Sequence, residues 1–320
     1  MRAKVCPKYA YLAVSVVLAV VLAVCDLSIG DMHVSLLHPD RTGMAVLLRI
    51  RIPRVLTAVL AGAALALSGL QMQSIFRNPI TDPHIMGISG GASLGAALAI
   101  TVAGFSIATT VCSALAGAAI AALLVVGVSR KVGDAGTLLI FGVMLGFIFS
   151  ALVSVIEYGA SEQGLKLFYS WSSGSFSSNG TAGLICMATA LVIGTIMALY
   201  FAHGLDAILF GDEYAAMCGV EPKRVRAVSM AGCCLMTGVA TAFCGPLGFV
   251  GIVSPHITRR LMGSSVHSGV IPCCLTTGAV ISLSADMLSQ LTHARVPVGS
   301  TMAIIGIPVI IYILFKGRND

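Results

Sequence analysis

Long apolar runs separated by short polar segments make up most of the sequence, at lengths typical of membrane-crossing helices. The eighth run is short, begins after GPLGFVG and contains Pro255, which predicts a broken or partial helix. No linker or low-complexity tract divides the chain, so we predict one domain over residues 1–320. The pattern therefore predicts an all-α integral membrane protein with about ten transmembrane helices, at about 9–29, 47–75, 85–104, 107–128, 137–158, 181–203, 226–247, 248–263, 269–290 and 299–315.

Composition and charge strengthen the membrane assignment. Hydrophobic residues make up 57% of the chain and charged residues 10%, against roughly 25% charged in soluble domains. The net charge of +6 does not indicate a nucleic-acid partner, because the basic residues are scattered between apolar runs. If the N-terminus is cytoplasmic and the spans alternate, most Lys and Arg residues lie on the cytoplasmic side. This distribution predicts that both termini are cytoplasmic.

The cysteines do not indicate a disulfide framework or a metal site. The chain has 10 of them, most lie inside apolar runs, and no CxxC spacing occurs. Cysteine without a partner behaves as a small hydrophobic residue. We therefore expect the thiols to be buried packing groups.

A short charged segment, Gly211–Arg224 (GDEYAAMCGVEPKR), interrupts the apolar pattern. Asp212 is a favourable N-cap and Glu213 suits the first turn of a helix. Gly219 suits a left-handed stop, and Pro222 suits the start of the next helix. The segment predicts a rigid two-turn helix that docks on another chain. That chain would supply the driving force, since this one has no GxxxxGK[ST] phosphate loop.

Two arginines flank a proline at the outer entrance of the second run, as Arg51-Ile52-Pro53-Arg54. One interpretation is that they anchor the helix end in the interface by extending toward water. The other is that they form a rigid pair of positive charges for an acidic partner outside, since guanidinium groups bind carboxylates in bidentate fashion. The sequence leaves both interpretations open.

The fifth run carries Gly142, Gly146, Ser150 and Ser154 at four-residue spacing, which places small residues along one helical face. Such a ridge is typical of close helix packing in membranes. It would also suit the wall of a pathway for a bulky solute. Both can hold at a dimer interface.

Two other positions invite functional hypotheses. Ser89, within GISGG, matches the GxSxG spacing of some serine hydrolases, but no base is evident nearby in the sequence. Asp286 is a carboxylate inside a span, for which Gln290 is a local partner one turn later. These positions would matter to an intramembrane protease or to an ion-coupled secondary transporter.

A short repeated motif relates the two halves of the chain. DPHI follows the second run at 82–85, and SPHI follows the seventh at 254–257. The sixth run separates two groups of four spans, which would then have opposite topology. The chain therefore could consist of inverted-repeat halves.

Several segments together resemble the permease subunits of binding-protein-dependent ABC importers for iron-siderophores, haem and cobalamin. The segments occur in the order of that family and cover about residues 45 to 315. They are RIPRVL at 51–56, SGLQMQSIFRNPITDPHIMGISGGASLG at 68–95, WSSGS at 171–175, GDEYAAMCGV at 211–220, GPLGFVGIVSPHITRRLMG at 245–263 and PVGSTMAIIGIPVIIYIL at 297–314.

The resemblance implies partners and site residues. The partners would be a second copy of the chain, two ABC ATPase subunits that bind ATP and Mg, a periplasmic or surface-anchored solute-binding protein, and membrane lipid, with no nucleic acid. This chain itself would have no catalytic residue, cofactor or metal. The residues of the coupling helix that docks on the ATPase would be Gly211, Asp212, Glu213, Ala215, Ala216, Gly219 and Val220. Those that dock the binding protein would be Arg51, Arg54 and Arg295, and those along the pathway would be Gly142, Gly146, Ser150 and Ser154.

The chain departs from the family pattern at two outer positions. The family often has Arg where this chain has Gln290, and often has Glu where this chain has Arg295. The outer docking charge could therefore be displaced by five residues.

The resemblance implies import of a metal chelate across the bacterial cytoplasmic (inner) membrane. A ferric siderophore is the first expectation, followed by haem, cobalamin and molybdate. An ion-coupled secondary transporter and an intramembrane serine protease are the alternatives from other classes.

Overall fold

The structure is a computed structural model that describes residues 8–30, 40–102, 106–132, 134–177, 180–291 and 296–316. Throughout these ranges the ordered elements are helices, and no strand occurs. A π-helical turn at Leu47–Arg51 joins α2 to α3 in one continuous helix. The helices are α1 Lys8–Ser28, α2 Arg41–Val46, α3 Ile52–Phe76, α4 Ile88–Val102, α5 Ile107–Lys131, α6 Ala135–Gly159, α7 Glu162–Ser172, α8 Thr181–Tyr200, α9 Ala202–Leu209, α10 Asp212–Met217, α11 Pro222–Cys244, α12 Val250–Met262, α13 His267–Leu291 and α14 Val298–Lys316.

The predicted membrane fold is confirmed. Within the described ranges, 7 helices are long and apolar enough to cross a membrane: α1, the joined α2–α3, α5, α6, α8, α11 and α13. The helices α4 and α14 are shorter but apolar, and α12 has 13 residues with Pro255 inside it. The predicted short eighth span therefore corresponds to α12.

The helix α3 forms the centre of the molecule. In its most apolar stretch 83% of the residues are buried inside the protein, whereas α6 has 22% of the equivalent stretch buried. The helices α1, α5 and α8 likewise turn most of their apolar residues outward. Outward apolar faces on peripheral helices are expected where the solvent is lipid rather than water.

Glycines let the central helices approach closely. A Cβ on Gly62 of α3 would overlap the backbone carbonyl of Gly278 in α13, and a Cβ on Gly69 would overlap Gly251 in α12. Small residues at helix contacts bring backbones together and increase dispersion contacts in a bilayer. The three helices are therefore held in a fixed register.

The chain is broken between α11 and α12. Gly245 and Phe249 both adopt positive φ, at 77° and 72°. The His84 ring contacts the carbonyl oxygen of Leu247, and the Ser175 N–H donates to the carbonyl of Cys244 at 2.9 Å. The irregular backbone thus finds partners within the protein, as membrane depth requires.

The DPHI and SPHI segments do not adopt the same local structure. Pro83–Met86 forms a 3₁₀ turn before α4, whereas Pro255 lies inside α12. Any repeat relationship has to be sought in the order of the helices.

The expectation that the cysteines are buried holds for part of them. All nine described cysteines are free thiols, and five are buried, namely Cys233, Cys234, Cys244, Cys273 and Cys274. Cys25, Cys112 and Cys218 are exposed, so these three are not core residues.

Candidate functional site

The charged segment folds as the sequence predicts, except at its first residue. Gly219 ends α10 with φ +77°, and the Val220 N–H returns to the Ala215 carbonyl at 2.9 Å. This is the Schellman pattern that a left-handed glycine allows. Pro222 begins α11. The helix α10 is a short element closed at its C-terminal end.

The prediction that Asp212 caps α10 is wrong. The N-cap is Gly211 with φ +120°, and Asp212 is the first helical residue. Its Oδ1 instead accepts hydrogen bonds from Arg77 Nη2 at 2.7 Å and Arg226 Nη2 at 2.5 Å. Both contacts are charge-assisted hydrogen bonds, and the carboxylate lies against two cations. Asp212 therefore fastens α10 to the end of α3 and to α11.

The side of α10 that faces away from the rest of the protein is exposed and carries large apolar residues. Ala215 is fully buried beneath the helix, whereas Glu213, Ala216 and Gly219 are exposed. Phe210 is 76% exposed, Tyr214 49% and Met217 87%, and the Phe210 and Tyr214 rings are 5.3 Å apart. We call these three side chains the α10 surface. Aromatic and Met residues of this kind are enriched at protein–protein contacts.

The small-residue ridge on α6 divides into two parts. A Cβ on Gly142 would contact Met86, and a Cβ on Gly87 would lie 2.9 Å from the Gly146 backbone nitrogen. These two glycines of α6 therefore serve close packing against the turn before α4. Ser150 and Ser154 are exposed, and the Ser154 hydroxyl donates to the Ser150 carbonyl at 3.1 Å. The pathway assignment stays a prediction, and its exposed part is the serine half.

Arg51 turns inward just before the start of α3, on the side that the sequence predicts to be outer. The side chain is buried, and its Nη1 donates to the Leu27 carbonyl of α1 at 2.6 Å. Its guanidinium also packs against Gly30. The proposed docking role stays a prediction, and it would require this side chain to leave its present contacts. Arg295 lies outside the described residues.

Arg54 forms a bidentate ion pair with Asp286. Its Nε lies 2.8 Å from Oδ2 and its Nη2 lies 2.6 Å from Oδ1, with Asp286 fully buried. The expected contact between Gln290 and Asp286 is present at 3.3 Å. The same Gln290 Nε2 also donates to Asp26 of α1 at 2.6 Å. The C-terminal ends of α1 and α13 and the N-terminal end of α3 thus meet in one polar cluster, on the predicted outer side.

A cavity of about 640 Å³ lies beside this cluster. Its lining includes Arg54, Gln290, Ser173 and Ser175. Arg54 is half-buried, so part of its guanidinium faces this space. An external partner could contact the cluster from here.

Ser89 has no catalytic arrangement around it among the described residues. It is buried, and its hydroxyl lies 3.3 Å from the Thr241 hydroxyl. A nucleophile would need a base at that position. The geometry fits helix packing between α4 and α11.

Sequence reasoning missed the partners that hold these sites together. Arg77 lies far from Asp212 in the chain, Arg226 belongs to the helix that follows α10, and Asp26 lies far from Asp286. Only the isolated charge at Asp286 signalled that a partner was needed.

Comparison with known proteins supports one family. The sequence model of the FecCD transport family matches residues 11–316. The cobalamin import system permease protein of Halobacterium salinarum is 32% identical over 275 residues, 85% of this chain and 74% of the relative. The hemin transport system permease protein of Yersinia pestis is 32% identical over 318 residues, 95% of each chain.

A solved structure has the same fold and a similar sequence. It is described as an inward-facing conformation of a metal-chelate type ABC transporter, and it matches with a TM-score of 0.85 and 31% identity. The match covers 95% of this chain and 98% of that one. Together with the helix order and the exposed α10 surface, these matches show that the chain belongs to the FecCD transport family of membrane permeases.

Proposed function

We propose that this protein is the permease subunit of a binding-protein-dependent ABC importer for a metal chelate, with a ferric siderophore as the first candidate. The relatives above are named for cobalamin and hemin, and the similar structure for metal chelates. All three names describe a metal held by an organic ligand. Haem, cobalamin and molybdate are the other candidates.

The observation that carries the proposal is the α10 surface. Tyr214 and Met217 are exposed on α10, Phe210 is exposed just before it, and Asp212 fixes this helix to two neighbouring elements. An exposed aromatic and Met patch on a rigidly held helix fits a groove in a partner protein. The partner would be an ABC ATPase that binds ATP and Mg, one for each of two permease copies.

The transport cycle would then involve movement of the whole membrane domain. ATP binding and hydrolysis on the partners would displace α10, and the helices would switch the pathway between outward and inward openings. Ser150 and Ser154 would line the pathway on α6. The α10 surface would lie in the cytoplasm with both termini, and the protein would reside in the inner membrane.

The test is association with the ABC ATPase of the same importer. Tyr214→Glu and Met217→Glu should each lower the amount of co-purified ATPase by about tenfold, because a charge buried in an apolar contact is costly. Tyr158→Glu is the matched control. Tyr158 is also exposed, at 96%, but it ends α6 on the predicted outer side. Equal co-purification in all three variants would refute the proposed docking surface.

Asp212 is a poorer choice for this test than the exposed residues. Its reversal to Lys would place a third cation beside Arg77 and Arg226 and disturb α10 itself. Lost association in that variant would not separate docking from folding.

The solute is identified through the external binding protein. Ferrichrome, haemin, cyanocobalamin and molybdate would be titrated into the purified binding protein of the same importer. Submicromolar binding of ferrichrome alone would support the first candidate. Tight binding of one of the others would replace it, and the permease assignment would stand.

A further inference from the structure

A buried chain of polar groups begins in the short helix α9. Oδ1 of Asp206 accepts hydrogen bonds from the backbone N–H of His267 at 3.0 Å and from its ring Nδ1 at 2.6 Å. His267 is the first residue of α13, so the carboxylate also lies at the positive end of that helix. Asp206 therefore caps a helix from a different part of the chain.

The polar chain continues into α3 and α12. Nε2 of His267 lies 2.7 Å from the Ser74 hydroxyl oxygen, and Arg259 Nη2 donates to that oxygen at 3.2 Å. Ser74 and His267 are fully buried. We call Asp206, His267, Ser74 and Arg259 the inner linkage. It joins α9, α3, α12 and α13.

Asp206 contacts His267, and His267 contacts Ser74, as the acid, base and nucleophile do in a serine hydrolase triad. This site nevertheless cannot hydrolyse a substrate. A nucleophile must be reachable by the carbonyl that it attacks. Ser74 has no exposed surface, and the Arg259 guanidinium already contacts its oxygen. The linkage therefore has to be explained by what it connects.

On one side, the inner linkage connects directly to α10. The helix α9 leads into α10 through Phe210 and Gly211. Leu205 and Ile208 of α9 are fully buried, so α9 is also held by apolar contacts. A displacement of α10 would move α9 and hence the Asp206 carboxylate.

On the other side, the linkage connects to the outer polar cluster. The helices α3 and α13 are in backbone contact at Gly62 and Gly278, and closely packed helices move together. At their outer ends the same two helices are joined by Arg54 and Asp286. The α3–α13 pair thus has a polar connection at each end.

We propose that Asp206 is a positioning residue that transmits movement of α10 to the α3–α13 pair and so to the outer end of the molecule. The proposal rests on the proposed function, in which an ATPase displaces α10. Without the Asp206 contact, α10 would still bind the ATPase through its own exposed surface. The outer ends of the helices would no longer follow it.

The test measures motion and ATP hydrolysis separately, in the permease–ATPase complex reconstituted in lipid nanodiscs. Leu291→Cys, at the exposed outer end of α13, carries a spin label in both permease copies. Cys25, Cys112 and Cys218 are replaced by Ser to remove the other exposed thiols of the described residues, and Cys6 of the N-terminal segment is replaced as well. Inter-label distances are compared without nucleotide and with ATP plus vanadate, and no solute is needed.

The variants separate transmission from helix capping. Asp206→Ala removes both acceptor contacts, while Asp206→Asn keeps one oxygen for the His267 N–H groups. Asp134→Ala is the matched control. Asp134 also caps a helix, since its side chain accepts from the Thr137 N–H at 2.8 Å, but it belongs to α6.

The expected result is a nucleotide-driven distance change in the parent protein, in Asp134→Ala and, to at least half its size, in Asp206→Asn. Asp206→Ala should lose the change while ATP hydrolysis stays within about twofold of the parent. An undiminished distance change in Asp206→Ala would overturn the proposal. If the parent complex itself neither forms nor hydrolyses ATP, the proposed function fails, and the transmission proposal fails with it.

Discussion

Arg54 brings its guanidinium against Asp286 at the point where the C-terminal ends of α1 and α13 meet the N-terminal end of α3. Gln290 bridges Asp286 to Asp26. The Arg54 guanidinium and the Gln290 amide therefore supply hydrogen bonds to two buried carboxyl groups. Buried charges are tolerated only where partners satisfy them. The ion pair is therefore a structural requirement at this end, whether or not the same arginine also meets an external partner.

Arg54→Ala alone should destabilise the protein more than the double change Arg54→Ala with Asp286→Ala does. The single change leaves Asp286 buried without its cation, which costs roughly 3–5 kcal/mol, whereas Arg54→Ala with Asp286→Ala removes the charge as well. Thermal unfolding in detergent, followed by fluorescence, gives the comparison. A double variant less stable than Arg54→Ala would contradict the assignment of the pair as mutually dependent.

Asp206 also gives a pH dependence with a defined sign. Burial raises the pKa of Asp206, but the side-chain and backbone hydrogen bonds from His267 outweigh burial and hold the pKa below its ordinary value of 3.8. A lowered folded-state pKa contributes stability that is present above the ordinary value and is lost as the pH falls through the folded one. Between about pH 5 and about pH 3, the parent should therefore lose more thermal stability than Asp206→Asn. Parallel losses would show that Asp206 does not contribute.

At the scale of single elements, α10 shows what local sequence signals can and cannot predict. Gly219 and Pro222 act through their own backbone preferences, so the end of α10 and the start of α11 could be predicted. Asp212 acts through Arg77 and Arg226, which are brought to it by the packing of other helices. The local rule for an N-cap failed because helix packing brought two cationic partners to the carboxylate.

Helix packing gives a prediction that compares two glycines within helices. Gly69 lies against the backbone of Gly251, whereas a Cβ on Gly127 of α5 would meet nothing within 4 Å. Gly69→Ala should lower the free energy of unfolding by about 1–3 kcal/mol through overpacking. Gly127→Ala should be neutral or raise it by up to about 1 kcal/mol, because alanine favours the helix. Apparent melting temperatures of both variants test this, and equal shifts would contradict the close α3–α12 contact.

At the scale of the whole molecule, apolar periodicity predicted the fold because each span is a local property of the chain. The ridge on α6 was ambiguous for the opposite reason. Gly142 and Gly146 serve packing against the turn before α4, and Ser150 and Ser154 face outward, although all four share one helical face. Which neighbour covers each half depends on tertiary structure. The inner linkage was likewise invisible, since Asp206, His267 and Ser74 are scattered among apolar runs.

The orientation of the whole molecule can be tested with a native thiol. Cys218 is exposed directly after α10, whereas Cys25 and Cys112 are exposed on helices that face lipid, where a charged reagent does not enter. A membrane-impermeant maleimide should therefore label inside-out vesicles but not right-side-out vesicles. Cys6 belongs to the predicted cytoplasmic N-terminal segment, so it is first replaced by Ser. In that background Cys218→Ser should abolish the labelling, and bound ATPase should protect the Cys218 thiol because it lies beside the α10 surface. Labelling of right-side-out vesicles would place α10 outside the cell, where no ATP-driven partner could reach it, and would reject the orientation and the coupling role together.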